Sequence, residues 1–141
     1  EKFRSNYLDV DNDALYPFGY GLSYTTFQYG DIVLNTPTMK QNETITATIQ
    51  VTNSGKYDGA EVVQLYIRDL VGSITRPVRE LKGFKKVFLK AGESKTISFK
   101  ITADLLRFYD YDLNQVTEPG EFDIFIGGSS QATKTARLTL K

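Results

Sequence analysis

Two closely spaced carboxylate pairs, Asp110 with Asp112 and Glu118 with Glu121, are the first places to look for chemistry. Glycosidic bonds are cleaved by two carboxyl groups held roughly 5–9.5 Å apart, one of them kept protonated by burial. Both pairs fall among turn formers, where acidic side chains favour the turn and stay hydrated. Asp9, Asp11 and Asp13 alternate like the opening of a calcium loop. The sixth loop position is Ala14, where the sharp turn requires glycine, and the twelfth is Tyr20, where a bidentate glutamate is required. The pattern therefore predicts a solvated acidic segment.

Nucleophilic and metal chemistry have little else to draw on. The 141 residues include no histidine and no cysteine. That removes the commonest general base, the commonest transition-metal ligand, any disulfide and any cysteine-ligated zinc. Ser94 and Lys95 are adjacent in an alternating run, so they point to opposite faces and form no Ser–Lys pair. Gly19-Tyr20-Gly21 lacks the third glycine and the strand–turn–helix context of a phosphate loop. No catalytic residue, cofactor or metal site is expected. Lys82, Lys85, Lys86, Lys90 and Lys95 form a basic run that Glu93 interrupts, and they read as a solvated strand face protecting a sheet edge. Asn42-Glu43-Thr44 is an N-glycosylation sequon, which matters only in a secreted eukaryotic protein.

Seventeen basic and seventeen acidic residues give a formal net charge of zero. No basic footprint for nucleic acid or anionic lipid follows from that balance. No apolar run approaches the ~20 residues that span a bilayer. A chain of this length buries roughly 68–70% of its unfolded surface and sustains a core without metals or disulfides. It begins at Glu1 and reads as a piece of something longer.

The elements that would hold these residues are strands. In residues 61–69 Val63, Leu65 and Ile67 alternate with Gln64, Tyr66 and Arg68, the signature of a half-buried strand. Residues 44–53 alternate more cleanly, with Ile45, Ala47, Ile49 and Val51 inward and β-branched threonines outward. Residues 22–34 predict a first strand bent at Gly30-Asp31, 36–42 a loop, and Asn53-Ser54-Gly55-Lys56 a turn. The register of 78–89 is ambiguous: Phe84 and Phe88 share one parity, Val87 and Leu89 the other, and Gly83 suggests a bulge. Ala91-Gly92-Glu93 is a tight turn before a strand over 94–101. Thr102 is placed to cap a short helical turn through Leu106. A hairpin over 108–117 follows, then a type II turn at Pro119-Gly120, an alternating strand over 121–127 and a closing strand over 133–140. About eight or nine short strands, with turns every 8–12 residues or so, predict an all-β, antiparallel immunoglobulin-like sandwich. Residues 1–16 read as a linker and 17–141 as the sandwich.

One segment carries more aromatic surface than a turn needs. Tyr16, Pro17, Phe18, Tyr20, Tyr24 and Phe27 crowd the stretch YPFGYGLSYTTF. Aromatic side chains are enriched where one surface meets another. The segment either folds onto this domain's own core or packs on a neighbouring domain; on the second reading Tyr16, Pro17, Phe18, Tyr20 and Tyr24 are candidates for an interdomain surface, joined by Arg76 from the loop over 69–77.

Six blocks in order carry a wider resemblance: YPFGYGLSYTTF, GAEVVQLYIRD, TRPVRELKGFKKVFL, AGESKTISFKI, LLRFYD and EPGEFDIFIGGSS. From about Tyr7 to Ser130 the chain resembles the C-terminal fibronectin type III-like domain of family 3 glycoside hydrolases, the β-glucosidase and β-xylosidase family. The resemblance implies a fibronectin-like sandwich without catalytic residues, because that family keeps its nucleophile and acid/base in upstream domains. It implies an accessory module that stabilises or docks onto the catalytic domains of the same polypeptide. It also implies a periplasmic or secreted parent that hydrolyses terminal β-glycosidic bonds. Nucleic acid and membrane are not expected partners, and glycan binding is expected to be weak or absent. The alternatives are a free-standing carbohydrate-binding module using Tyr66 and Tyr111, and a cell-surface interaction module.

Overall fold

The structure is a computed structural model that describes residues 25–70, 79–109, 115–116, 119–129 and 134–141. In chain order the strands are β1 (Phe27–Tyr29), β2 (Val33–Leu34), β3 (Thr38–Met39), β4 (Thr44–Asn53), β5 (Gly59–Asp69), β6 (Arg79–Leu89) and β7 (Ser94–Thr102). A 3-10 turn, Asp104–Leu106, leads to β8 (Phe108–Tyr109), β9 (Gln115–Val116), β10 (Gly120–Gly127) and β11 (Lys134–Leu140).

Two sheets form. In the first, β7 pairs along one edge of β4, while β1 and then β2 share the other. The chain breaks between β1 and β2 at Gly30–Ile32, where the bend was expected, and Gly30 N–H still donates to Gln50 O at 2.8 Å. The second sheet runs β3-β11-β10-β5-β6, antiparallel except for the β3–β11 pair. β8 and β9 make the expected small hairpin. Residues 36–42 are not wholly a loop: β3 adds two residues to the second sheet beside the closing strand. A two-residue strand has too little period to be seen in sequence.

Alternation sets the core. Ile45, Ala47, Ile49 and Val51 of β4 face Val63, Leu65 and Ile67 of β5 within one apolar cluster, with Phe122, Ile124 and Ile126 of β10 completing its centre. Each of these valine, leucine, isoleucine and phenylalanine side chains, fully buried, contributes about 1.5–3 kcal/mol of transfer free energy. Leu106 closes one end, delivered by the 3-10 turn. Thr102 Oγ1 accepts from Leu105 N–H at 3.2 Å, the cap the sequence suggested.

The ambiguous register of β6 is settled by a bulge. Leu65 lies opposite Gly83 but Tyr66 opposite Leu81, so Lys82 is the extra residue. Beyond it Val87 and Leu89 turn inward and Phe84 and Phe88 turn out. Gly83 comes to lie on the Phe99 ring: a Cβ there would sit 3.8 Å from it. The turns at 40–43 and 90–93 share one design. In each, Glu N–H donates to the Lys carbonyl, and Lys N–H donates back to the Glu carboxylate at 2.8 Å. Gly92 takes φ 82°, which favours glycine.

Candidate interdomain surface

All six candidate interface residues, Tyr16, Pro17, Phe18, Tyr20, Tyr24 and Arg76, lie outside the described residues, as do Asp110, Asp112, Glu118, Tyr111 and the aspartates of 9–13. Glu121, the carboxylate of the proposed pairs that is described, is exposed and bonded to Arg137 Nη1 at 2.8 Å. It belongs to an ion-pair row with Arg137 and Asp123. Among the described residues no group of three or more His, Cys, Asp or Glu side chains could hold a metal ion.

The outer face of the second sheet carries a connected group of polar and aromatic side chains that the sequence hid. The expected alternation of β10 makes residues 123 and 125 solvent-facing, yet Asp123 and Phe125 are 5% and 4% exposed. The central position of β10, between β5 and β11, explains this, because long side chains from both neighbours fold over it. Arg68 Nη2 donates to Asp123 Oδ2 and Arg137 Nε to Asp123 Oδ1, both at 2.8 Å. Burial alone would push the Asp123 carboxyl up, but the two arginine hydrogen bonds outweigh it and hold the group below its usual range. The Arg79 guanidinium lies 3.7 Å from the Phe125 ring centre and that of Arg68 5.2 Å, both within cation–π range of the aromatic. Tyr66, adjacent on β5, donates its hydroxyl to Gln64 Oε1, and Gln64 Nε2 donates to Gly128 O at 3.1 Å. Tyr66 is therefore tied into the sheet through its hydroxyl.

The lysines are more than a solvated face. Lys82 Nζ donates to Arg107 O at 2.7 Å and meets Glu80 at 3.4 Å, with its side chain only 15% exposed. Lys85 passes over Phe99, its ammonium 5.4 Å from the ring centre, and donates to Ser98 O. Lys95 Nζ donates back to Phe88 O at 3.2 Å. Lys85 and Lys95 tie β6, the edge of one sheet, to β7, the edge of the other, and Lys82 ties β6 to the end of the turn beyond β7. Each ammonium finds a backbone carbonyl.

Two polar groups join the sheets at one end, one of them fully and the other partly buried. Asn53 is fully buried; its Nδ2 donates to Tyr57 O at 2.8 Å and Leu89 O at 3.0 Å. Its Oδ1 accepts from Thr25 Oγ1 at 2.6 Å and Gly55 N–H at 3.0 Å. The second of these is an Asx turn, so Asn53-Ser54-Gly55 carried the signal for the turn. Nothing local revealed that Leu89 would close the hub. Across the sandwich the Tyr29 hydroxyl donates to Glu61 Oε2 at 2.9 Å. Burial raises the Glu61 carboxyl above its ordinary value against the opposing pull of that bond, and burial and the Glu61 charge raise Tyr29.

The comparisons with known proteins agree with this geometry. The Fibronectin type III-like domain family matches residues 61–130. A periplasmic β-glucosidase of Salmonella typhimurium is 48% identical over 139 residues, 99% of this chain but 18% of the relative. A β-xylosidase of Formosa agariphila is 48% identical over 140 residues, 98% of this chain and 19% of the relative. A crystal structure of a Listeria innocua β-glucosidase in complex with gluconolactone superposes with a TM-score of 0.75 at 38% identity, covering 99% of this chain and 19% of that one. The chain thus spans less than a fifth of each of these proteins.

Proposed function

The chain belongs to the fibronectin type III-like domains that form the C-terminal portion of family 3 β-glucosidases and β-xylosidases, and on that basis we propose that it serves its parent enzyme as a non-catalytic accessory module. In this reading the parent hydrolyses terminal β-glycosidic bonds with residues housed upstream. This domain docks on those catalytic domains and stabilises them. Residues 1–16 are the linker, and Tyr16, Pro17, Phe18, Tyr20, Tyr24 and Arg76 form part of the contact.

One observation carries the reading. Nearly the whole chain aligns with relatives named as glycosidases while spanning under a fifth of their length. The geometry is compatible with it: the described carboxylates with a shifted acidity, Glu61 and Asp123, are bonded to Tyr29 and to arginines within the sandwich. The relative from Salmonella typhimurium is named periplasmic, which supports an exported parent.

Alanine at Tyr16 and Phe18 tests the docking. In the full-length protein the double variant is expected to lower the unfolding temperature more than in this chain alone. Equal losses in both would mean the two aromatics serve only the sandwich itself.

A further inference from the structure

The outer face of the β5–β6 ribbon carries exposed apolar side chains. Phe84 is 66% exposed, Phe88 54%, Leu81 52% and Val62 40%. Register makes them one patch. Phe88 lies opposite Ala60, Phe84 opposite Gln64 and Leu81 opposite Tyr66, with Val62 between Ala60 and Gln64. Lys86 lies opposite Val62 at the centre of the patch and shares the parity of Phe84 and Phe88. It is exposed and has no ion pair or hydrogen-bonded side-chain partner among the described residues.

Val33 and Tyr57 are as exposed but stand elsewhere and singly, which is ordinary for a surface. Four apolar side chains around one unpaired cation are not. Resting on the accessory reading above, we infer that this patch seats the catalytic portion of the same polypeptide, through an apolar surface that offers a carboxylate to Lys86.

Three observations choose that occupant. More than four-fifths of each aligned relative lies outside the stretch this chain matches, so a large covalently linked surface is at hand in proteins built this way. A second copy fits poorly, because a two-fold contact centred on the patch would press Lys86 against its own mate among apolar groups. Addition of another strand at β6 is opposed as well. The bulge at Lys82 and the lysines spent on β7 and the turn beyond it blunt that edge, which leaves the face of the ribbon, and not its edge, as the place of contact.

Hydroxyl-radical footprinting of the full-length protein and of this 141-residue chain reads the side chains directly. Phe84 and Phe88 are expected to label several-fold more slowly in the full-length protein, with Tyr57 serving as the internal control. Equal labelling of Phe84 and Phe88 in both would overturn the inference. If Tyr16 and Phe18 are protected while Phe84 and Phe88 are not, the docking reading stands and this surface is the wrong one. If none of the four is protected, both fail. Protection that arises in the chain alone as its concentration rises would assign the patch to a second copy and overturn the inference too. As an independent arm, Lys86→Glu is expected to lower the unfolding temperature of the full-length protein and leave the isolated chain unchanged; no change in either would count against the carboxylate partner.

Discussion

The Tyr29 hydroxyl reaches across the sandwich from β1 to donate to the Glu61 carboxylate of β5, 2.9 Å away. The two residues sit in different sheets, so this bond pins the layers together where the apolar core ends. Gly128 stands against it: a Cβ there would lie 2.6 Å from Glu61 Oε2 and 3.5 Å from the Tyr29 hydroxyl.

Glu61 has its carboxyl raised in the folded state, first by burial. The folded protein therefore favours the protonated form. The stability this group contributes is complete below its unfolded value of about 4.3 and is lost as pH rises through the folded value. Glu61→Gln keeps an acceptor for Tyr29 and does not titrate. Its unfolding temperature relative to the parent chain is expected to rise between pH 4 and neutrality. A difference that stays flat with pH would show that Glu61 is not buried as described.

Asp123 should behave with the opposite sign. Its carboxyl is held low, so its contribution is present above an unfolded value of about 3.9 and disappears as pH falls through the folded value. Asp123→Asn is expected to cost about 1.5–3 kcal/mol at neutral pH, the range for hydrogen bonds to charged groups, and much less in acid. Chemical denaturation at the two pH values measures both. A loss of equal size at each would assign the effect to packing alone.

Asn53 is expected to be among the most sensitive polar positions. Asn53→Ala strands the Tyr57 and Leu89 carbonyls and the Gly55 N–H, and should cost about 3 kcal/mol or more. Asn53→Asp still accepts from Thr25 and Gly55, but its charge faces two carbonyl oxygens. It should be destabilising at neutral pH and partly recover in acid. Denaturant midpoints for the two variants decide this, and a neutral Asn53→Asp would remove Asn53 from its place as a hub.

Gly55→Ala is expected to break the same hub from outside. The added Cβ would fall 2.0 Å from Thr25 Oγ1 and 2.8 Å from Thr26 N, the second a backbone atom that cannot swing away. Thr25 must then release Asn53. A stability loss comparable to that of Thr25→Ala is the expected result, and a tolerated Gly55→Ala would contradict it.

The strands that build the core were legible because burial on one face imposes a period of two, as in β4 and β5. Gly83 announced its bulge, and Thr102 its capped turn, because each depends on a local backbone requirement. The outer face of β10 was not legible. Asp123 and Phe125 read as solvent-facing by parity, and they are buried only because Arg68, Arg79 and Arg137 arrive from three other strands. The lysines of β6 read as solvated for the same reason, since the carbonyls that receive them belong to β7 and the turn beyond it. Pairings between distant strands are set by the whole topology, and no local window contains them. The aromatic segment 16–24 and Arg76 fall outside the described residues, so the surface they were expected to form is carried forward as a proposal.

Hydrolysis is the most direct measure of whether this chain is an accessory module. The purified 141-residue chain and the full-length protein are compared at equal molar concentration on an aryl β-glucoside and an aryl β-xyloside. The account predicts turnover by the full-length protein on at least one of them and none by the chain alone. Turnover by the chain that survives purification and follows the protein through it would contradict the account.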